Sequence, residues 1–277
     1  IQITGDLAFS EIENFNILGG LVLAGITGIV VIGGLKRIAE VATFLVPLMG
    51  SIYFGAMIVA LILNLNLVLP AFKLIFIDAF NGTAIAGGTF FGVLIYGVRR
   101  GAFSNEAGMG TESLVHGVAK VSNPVKQGLV AMTGPIFDTL IICTATALMI
   151  LVSGVWETSS SQGVTLTAEA FSILLGNFGG LILFVCVICF GLSTIFTYSY
   201  YGASCSRFLF GKFGMKFYIY LYILSIFIYS IVPIDIAINI ADGAFAMMAI
   251  PTLISALWLA PKVMQASKIY FKLIDNN

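Results

Sequence analysis

The sequence predicts an all-α, polytopic membrane protein, and three observations support this prediction. Hydrophobic residues make up 59% of the 277 residues, charged residues make up only 9%, and the mean hydropathy is +1.06. Soluble globular chains carry about 25% charged residues, so this composition excludes a soluble fold. The apolar residues also fall into runs close to the length, about 20 residues, at which a helix crosses a bilayer core.

Seven apolar runs are predicted as membrane spans. In chain order they are Phe15–Leu35, Val41–Leu63, Ile85–Gly101, Leu129–Val155, Gly179–Tyr201, Phe217–Val232 and Ala244–Leu259. Between the second and the third run, Leu69–Phe80 is too short to span and contains Pro70 near its start, which predicts an interfacial helix. We expect one transmembrane transporter domain over residues 1–277, incomplete at its amino terminus.

The positive charges predict the orientation of the spans, because short cytoplasmic loops carry an excess of Lys and Arg. Ten of the 13 basic residues fall in alternate loops: Lys36, Arg37, Lys120, Lys126, Arg207, Lys212, Lys216, Lys262, Lys268 and Lys272. The first span is therefore predicted to run from outside to inside, and the Ser-rich loop Trp156–Thr167 to be external.

Charge and histidine content exclude several classes of function. The formal net charge is +0, so nothing in the balance predicts a nucleic-acid partner. His116 is the only histidine, which excludes a bis-histidine haem, and the chain has neither a zinc-protease motif nor the spacing of a Ser-His triad. We expect no organic cofactor. An intramembrane hydrolase using Asp138 and Asp242 is a weak alternative, because neither aspartate lies in a recognisable catalytic motif.

The segment Gly97–Gly110, GVRRGAFSNEAGMG, combines charged and amide side chains with four glycines directly after an apolar run. Polar, glycine-rich backbone at membrane depth is tolerated only where it is buried in protein or lines a cavity. The segment therefore indicates a helix that unwinds, with half-helix ends that could bind a cation and an anionic group. The alternative is that the third span ends normally at Arg99 and Arg100 and that a cytoplasmic loop follows.

Polar side chains in the later spans are further candidates. Asp138 could lie close to a cation or could bond a neighbouring helix. Thr194 and Tyr198, like Ser193 and Thr197, are four residues apart and share a helix face, so their hydroxyls could ligate a hard cation or could serve helix packing. Asp242 is interpreted as the N-cap of the last span.

Several motifs together resemble a known family. They are GGLKRIA (Gly33–Ala39), RGAFSNEAGMG (Arg100–Gly110) with His116 downstream, NPVKQG (Asn123–Gly128), FDTLIICTATALMIL (Phe137–Leu151), STIFTYSYYG (Ser193–Gly202) and MAIP (Met248–Pro251). In this order they are similar to the sodium:alanine symporter family, and the similarity covers nearly the whole chain. It implies a LeuT-type fold of two inverted five-helix repeats, in which these spans correspond to core helices four to ten and the first three precede Ile1.

The resemblance also implies roles for individual residues. The expected substrate-binding residues are Phe103, Ser104, Asn105, Thr194 and Tyr198, with Phe103 closing over the amino acid and Ser104 and Asn105 on unwound backbone. Ser193 and Thr194 are expected near a sodium ion. Arg99, Arg100 and Glu106 are expected to hold the break and to gate the cytoplasmic side, and Asp138 to take part in coupling or gating.

The function implied is sodium-coupled symport of a small neutral amino acid, alanine or glycine, by alternating access. The expected partners are that amino acid, sodium as the coupling ion and the lipid bilayer of the cell membrane; neither an enzymatic activity nor a nucleic-acid partner is expected. Two alternatives stay open at this point. One is a carrier of the same fold with another coupling ion or substrate, and the other is a truncated remnant that does not transport.

Overall fold

The computed structural model describes residues 15–80 and 89–275, and these residues contain helices and connecting turns but no strand. The first helices are α1 (Phe15–Val31), α2 (Gly34–Leu63), α3 (Leu65–Ala79), α4 (Thr89–Asn105), α5 (Thr111–His116) and α6 (Pro124–Pro135). A π-helical segment, Ile136–Cys143, continues α6. The remaining helices are α7 (Thr144–Ser153), α8 (Val155–Thr158), α9 (Val164–Leu175), α10 (Asn177–Ile231) and α11 (Ile234–Asp275). The predicted all-α fold is confirmed.

The chain forms two compact units, and each unit is built from two separate stretches of sequence. Unit one comprises Ile1–Asp78 and Thr144–Pro233, and unit two comprises Ala79–Cys143 and Ile234–Asn277. The expectation of a single transporter domain stays a prediction.

Unit one is held together by α10, which packs against α1, α2 and α9. Val31, Ile38 and Phe196 form one buried apolar cluster, and Ala71, Leu148 and Val152 form a second. A short turn joins α1 to α2. Across this turn, Arg37 Nη1 donates a hydrogen bond of 2.9 Å to the carbonyl of Ile29, near the end of α1. A basic side chain at a helix C-terminus satisfies carbonyls that the helix itself leaves without a donor.

Glycine changes the direction of the long helix α10. Its 55 residues include Gly211, whose φ of 69° and ψ of −159° are not helical. Glycine reaches such angles without the steric cost that a Cβ would impose. The predicted spans Gly179–Tyr201 and Phe217–Val232 therefore lie on the two sides of Gly211.

Unit two contains α4, α5, α6 with the π-helical segment, and α11. The longest of these is α11, with 42 residues and with Pro251 and Pro261 inside it. This helix begins ten residues before the predicted span Ala244–Leu259 and continues well beyond it. The prediction stopped at polar residues because hydropathy marks the membrane-crossing part of a helix and not its ends.

Four helical stretches are long and apolar enough to cross a membrane among the residues described. They are Lys36–Leu63, Pro124–Ser153, Phe178–Ile231 and Ile236–Asp275. Large apolar side chains are exposed on them, including Phe208 at 88% and Trp258 at 79%. Such an apolar exterior is what a lipid environment requires and what a soluble protein avoids.

Four further predicted elements are compared with the structure by their bounds. The helix that corresponds to the first predicted span, Phe15–Leu35, ends at Val31, before a turn. The start of the third predicted span, Ile85–Gly101, lies outside the described residues. The helix predicted over Leu69–Phe80 starts earlier, at Leu65. The predicted loop Trp156–Thr167 includes most of α8 and the start of α9, a 12-residue helix that was not predicted because it is too short to span.

Candidate functional site

The helix α4 is interrupted after Asn105, and five residues separate it from the six-residue helix α5. Glu106, Gly108 and Gly110 in this connection have φ values of 56°, 79° and 90°. Positive φ values end a right-handed helix, and glycine adopts them at no steric cost, whereas Glu106 does so under strain. The predicted interruption of the helix is confirmed, and α4 continues beyond Arg99 and Arg100 as far as Asn105. That the interruption lies within the membrane, and not in a cytoplasmic loop after the span, stays a prediction.

The unwound segment is shorter than predicted. Phe103, Ser104 and Asn105 lie in the last turn of α4, so the expectation that Ser104 and Asn105 lie on unwound backbone is wrong. The side chain of Asn105 explains where the helix stops: its Oδ1 accepts a hydrogen bond of 2.9 Å from the backbone N–H of Ala107. An Asn side chain that bonds the backbone two residues ahead forms a local turn in place of the next helical turn.

Two polar side chains of this last turn bond the π-helical segment. Ser104 Oγ donates to Asp138 Oδ2 at 2.6 Å, and Asn105 Nδ2 donates to Thr139 Oγ1 at 3.0 Å. Thr139 Oγ1 in turn donates to Asp138 Oδ2 at 3.3 Å. We call these four residues, Ser104, Asn105, Asp138 and Thr139, the Asp138 cluster. One carboxylate oxygen of Asp138 accepts from two hydroxyls, so the cluster joins the last turn of α4 to the π-helical segment through its side chains.

A local irregularity presents Asp138 and Thr139 to α4. Pro135 ends α6 and has no backbone N–H, so one intrahelical bond is lost there. The next eight residues, Ile136–Cys143, are wound with π-helical hydrogen bonds. Such wide turns are rare and occur frequently at functional sites.

Arg99 forms an ion pair with Asp242 of α11. Asp242 is 8% exposed, and α11 begins eight residues earlier at Ile234, so the interpretation of Asp242 as an N-cap is wrong. The guanidinium carbon of Arg99 also lies 5.7 Å from the ring centroid of Phe103, and the Phe103 ring lies 5.2 Å from that of Phe245. These contacts bring α4 and α11 together directly before the break.

The other residues predicted to gate are placed differently. The guanidinium of Arg100 lies over the ring of Tyr96 in its own helix, 5.1 Å from the centroid. Glu106 is half-buried in the unwound connection. The structure thus places Arg99, Phe103, Ser104, Asn105 and Asp138 around one helix end, with Arg100 on the same helix and Glu106 directly after it.

The remaining predicted site residues belong to α10 in unit one. Ser193 is buried, and its hydroxyl donates to the carbonyl of Phe190 at 2.9 Å, while Thr197 donates to the carbonyl of Ser193 at 2.9 Å. Thr194 is exposed, and the Tyr198 ring lies 5.3 Å from that of Tyr201. A hydroxyl that donates to its own helix keeps lone pairs that a cation can use.

Sequence reasoning missed Asp242, Phe245 and Thr139 as members of this arrangement. A signal for Asp242 was present, because a carboxylate among the apolar residues of a spanning helix needs a partner of opposite charge. Arg99, a cation among the apolar residues of another predicted span, is such a partner. Phe245 and Thr139 carry no such signal, because aromatic and Thr residues are common in spanning helices.

Long apolar helices and a helix broken beside a carboxylate define a class, the polytopic all-helical membrane transporters. Comparison with known sequences identifies the family. Residues 3–277 match the sodium:alanine symporter family, and the chain belongs to it. This is a family of transporters and not of enzymes, and the chain is a multi-pass protein of the cell membrane.

Three curated relatives show the degree of similarity. The sodium/alanine symporter AgcS of Methanococcus maripaludis is 35% identical over 99% of this chain and 61% of its own length. The uncharacterized transporter YflA of Bacillus subtilis is 37% identical over 93% of the chain and 56% of its own length. The probable sodium/glutamine symporter GlnT of the same organism is 34% identical over 96% and 56%. The chain thus spans about three fifths of the length of these relatives.

Proposed function

We propose that the full-length protein carrying this chain is a secondary active transporter that couples sodium entry to uptake of a small neutral amino acid, alanine or glycine. The observation that carries the proposal is the broken helix α4, which ends with Ser104 bonded to Asp138 in a chain of the sodium:alanine symporter family. Broken helices in transporters bind substrates and coupling ions where the helix ends expose backbone groups. A LeuT-type fold of inverted repeats is part of this proposal.

The C-terminal end of α4 supplies the electrostatic part of the site. Carbonyl groups at a helix C-terminus carry partial negative charge, and the Asp138 carboxylate adds a formal charge beside them. This arrangement suits a sodium ion or the ammonium group of an amino acid. Phe103 and Asn105, in the same turn, are proposed to contact the substrate, and Asp138 to link ion binding to substrate binding.

The hydroxyls of α10 supply the other proposed ligands. Ser193 and Thr194 are proposed to bind sodium, because hydroxyl oxygens suit a hard cation and the bond from Ser193 to its own helix leaves lone pairs available. Thr194 and Tyr198 are proposed to contact the substrate. Coupling then requires that sodium and the amino acid raise each other's affinity by the same factor.

The experiment that tests this function is uptake of labelled alanine into proteoliposomes containing the full-length protein, with an inward sodium gradient and then with choline in its place. Accumulation that depends on sodium supports the proposal. A proton gradient and competition by glutamine form two further arms, because relatives are named as sodium/proton-dependent alanine carriers and as a sodium/glutamine symporter. Folded protein that accumulates no amino acid under any gradient favours the non-transporting alternative.

Phe103 provides a residue-level test. Phe103→Ala should weaken alanine binding about tenfold, because it removes an aromatic ring from the proposed substrate site. The protein should still fold, because the Phe103 side chain is only half-buried. The control is Phe91→Ala, which truncates a 67% exposed ring in the same helix and should leave affinity unchanged. Equal alanine affinity in the wild type and Phe103→Ala would remove Phe103 from the site.

A further inference from the structure

Four side chains connect α4 to α11 one turn before the helix break, and we call Arg99, Phe103, Asp242 and Phe245 the α4–α11 latch. Arg99 pairs with Asp242 and also lies 5.7 Å from the centroid of the Phe103 ring. Phe103 in turn contacts Phe245, three residues after Asp242, with a centroid separation of 5.2 Å. The cation therefore contacts both the carboxylate of α11 and the aromatic ring of the proposed substrate site.

The burial of the two charges is unequal. The Asp242 side chain is 10% exposed, whereas the Arg99 side chain is 46% exposed. A buried carboxylate in a helix of membrane-spanning length is costly unless a cation accompanies it, and such residues are functional candidates by default. Loss of the ion pair therefore costs more free energy when the Asp242 carboxylate is left without its cation than when the Arg99 guanidinium is left without its anion.

The same helix also contacts the break itself. A Cβ placed on Gly108 would lie 3.4 Å from Leu253 Cδ2, and one on Gly110 would lie 2.7 Å from Thr252 Oγ1. From Arg99 to Phe103 the partners on α11 advance from Asp242 to Phe245, so these two contacts follow both helices in the same direction. In the predicted orientation the third and seventh spans both run inward. Support from α11 thus extends from Arg99 to the end of the unwound connection.

We propose that Asp242 and Phe245 are positioning residues that hold Phe103 over the amino acid when the latch is closed, and that opening the ion pair releases the ring. The inference rests on the proposed transport function and adds two residues to its site. On the predicted orientation a residue that precedes the break lies on its outer side. On that orientation the latch acts on the outer side, as an alternative to the cytoplasmic role that the family resemblance implies for Arg99.

The experiment is a double-mutant cycle on alanine affinity, measured by equilibrium binding of labelled alanine to the purified full-length protein in sodium buffer. Asp242→Asn should raise the Kd for alanine about tenfold. Adding Asp242→Asn to Phe103→Ala should change the Kd little further, because Asp242 acts through the ring that is already absent. The exchanged pair Arg99→Asp with Asp242→Arg restores opposite charges and should recover folding if Asp242→Asn alone does not fold.

The matched control is Glu40→Gln, which removes a carboxylate from the exposed pair Lys36–Glu40, 3.9 Å apart, and should leave the Kd unchanged. A wild-type Kd in folded Asp242→Asn overturns the latch, and so do effects of Asp242→Asn and Phe103→Ala that simply multiply. Wild-type protein that binds no small neutral amino acid in sodium overturns the proposed function instead, and the latch with it.

Discussion

The two units of the chain differ in the polar side chains that link their helices, although hydroxyls in both units also donate within their own helix. In unit one, the hydroxyls of Ser193, Thr197, Ser225 and Ser230 donate to carbonyls three or four residues back in their own helix. In unit two, Arg99, Ser104 and Asn105 reach side chains of a different helix. A bond within one helix satisfies the hydroxyl but fixes no neighbour, whereas a bond between helices fixes the positions of both. Apolar packing holds unit one, and polar contacts add alignment in unit two.

Unit one has its own contact between helices, which limits this contrast. Tyr53 of α2 and Thr146 of α7 share a hydrogen bond of 2.8 Å between their hydroxyls, and the Tyr53 ring stacks on Phe171 with centroids 5.5 Å apart. Both of these groups are neutral. Within the described residues, an ion pair between two helices occurs only in unit two, because Arg37 of unit one bonds a backbone carbonyl and Lys36 pairs within its own helix.

The largest expected effect is on stability when Arg99 is removed. Arg99→Gln leaves the buried Asp242 carboxylate without its cation and should cost about 3 kcal/mol of unfolding free energy. Asp242→Asn should cost less, because Arg99 is half exposed and its guanidinium can move toward a polar surface. Chemical unfolding of the full-length variants in detergent micelles measures both losses. Equal losses would contradict the asymmetry of burial.

A smaller effect is expected from Ser104→Ala, which removes one donor from the Asp138 carboxylate. A hydrogen bond to a charged group contributes about 1.5–3 kcal/mol, so we expect a loss near the lower value for this exposed hydroxyl. Ser113→Ala is the control, because Ser113 donates only to the carbonyl of Gly110, three residues before it. The same unfolding measurement decides, and identical curves for the two variants would show that the bond to Asp138 contributes nothing.

Tyr53→Phe tests the neutral contact of unit one. It removes the hydroxyl bonded to Thr146 but keeps the ring on Phe171, so the expected loss is about 1 kcal/mol. Ser225→Ala, which removes a hydroxyl bonded within its own helix, should cost less than half as much. If Ser225→Ala destabilises the protein as much as Tyr53→Phe does, hydrogen bonds within one helix and between two helices contribute equally to stability. The proposed difference between the two kinds of bond would then be wrong.

The smallest effect concerns pH. Hydrogen bonds from Ser161, at 2.6 Å, and from Ser159 lower the pKa of Glu169 below its usual value near 4.5. A carboxyl with a depressed folded-state pKa stabilises the protein above its unfolded pKa, and this stabilisation is lost as the pH falls through the folded value. The wild type should therefore lose slightly more stability than Glu169→Gln below about pH 4.5. Melting curves between pH 3 and 7 measure the difference, and parallel pH profiles would exclude it.

The long helices could be predicted from the sequence because each contains an apolar run of spanning length, whereas the shorter helix α9 could not. The break could be predicted because Gly108 and Gly110 permit backbone angles that other residues avoid. The partners of Ser104 and Arg99 could not be predicted in the same way. Asp138 and Asp242 lie 34 and 143 residues further along the chain, and which residues meet depends on how helices pack. Helix bounds were the least accurate, since a helix can extend beyond the bilayer into polar sequence.

The π-helical segment Ile136–Cys143 gives this helix a sensitivity to length that an ordinary helix does not have. Each residue of an α-helix turns the chain by about 100°, and a π-helical turn holds more residues per turn than an α-helical one. Deleting Ile136 or Phe137 would shorten the wide turn and rotate Asp138 about the helix axis relative to α6. The Asp138 carboxylate would then turn away from Ser104 of α4, although every polar side chain of the helix would still be there. The spacing along this helix is thus itself a part of the site.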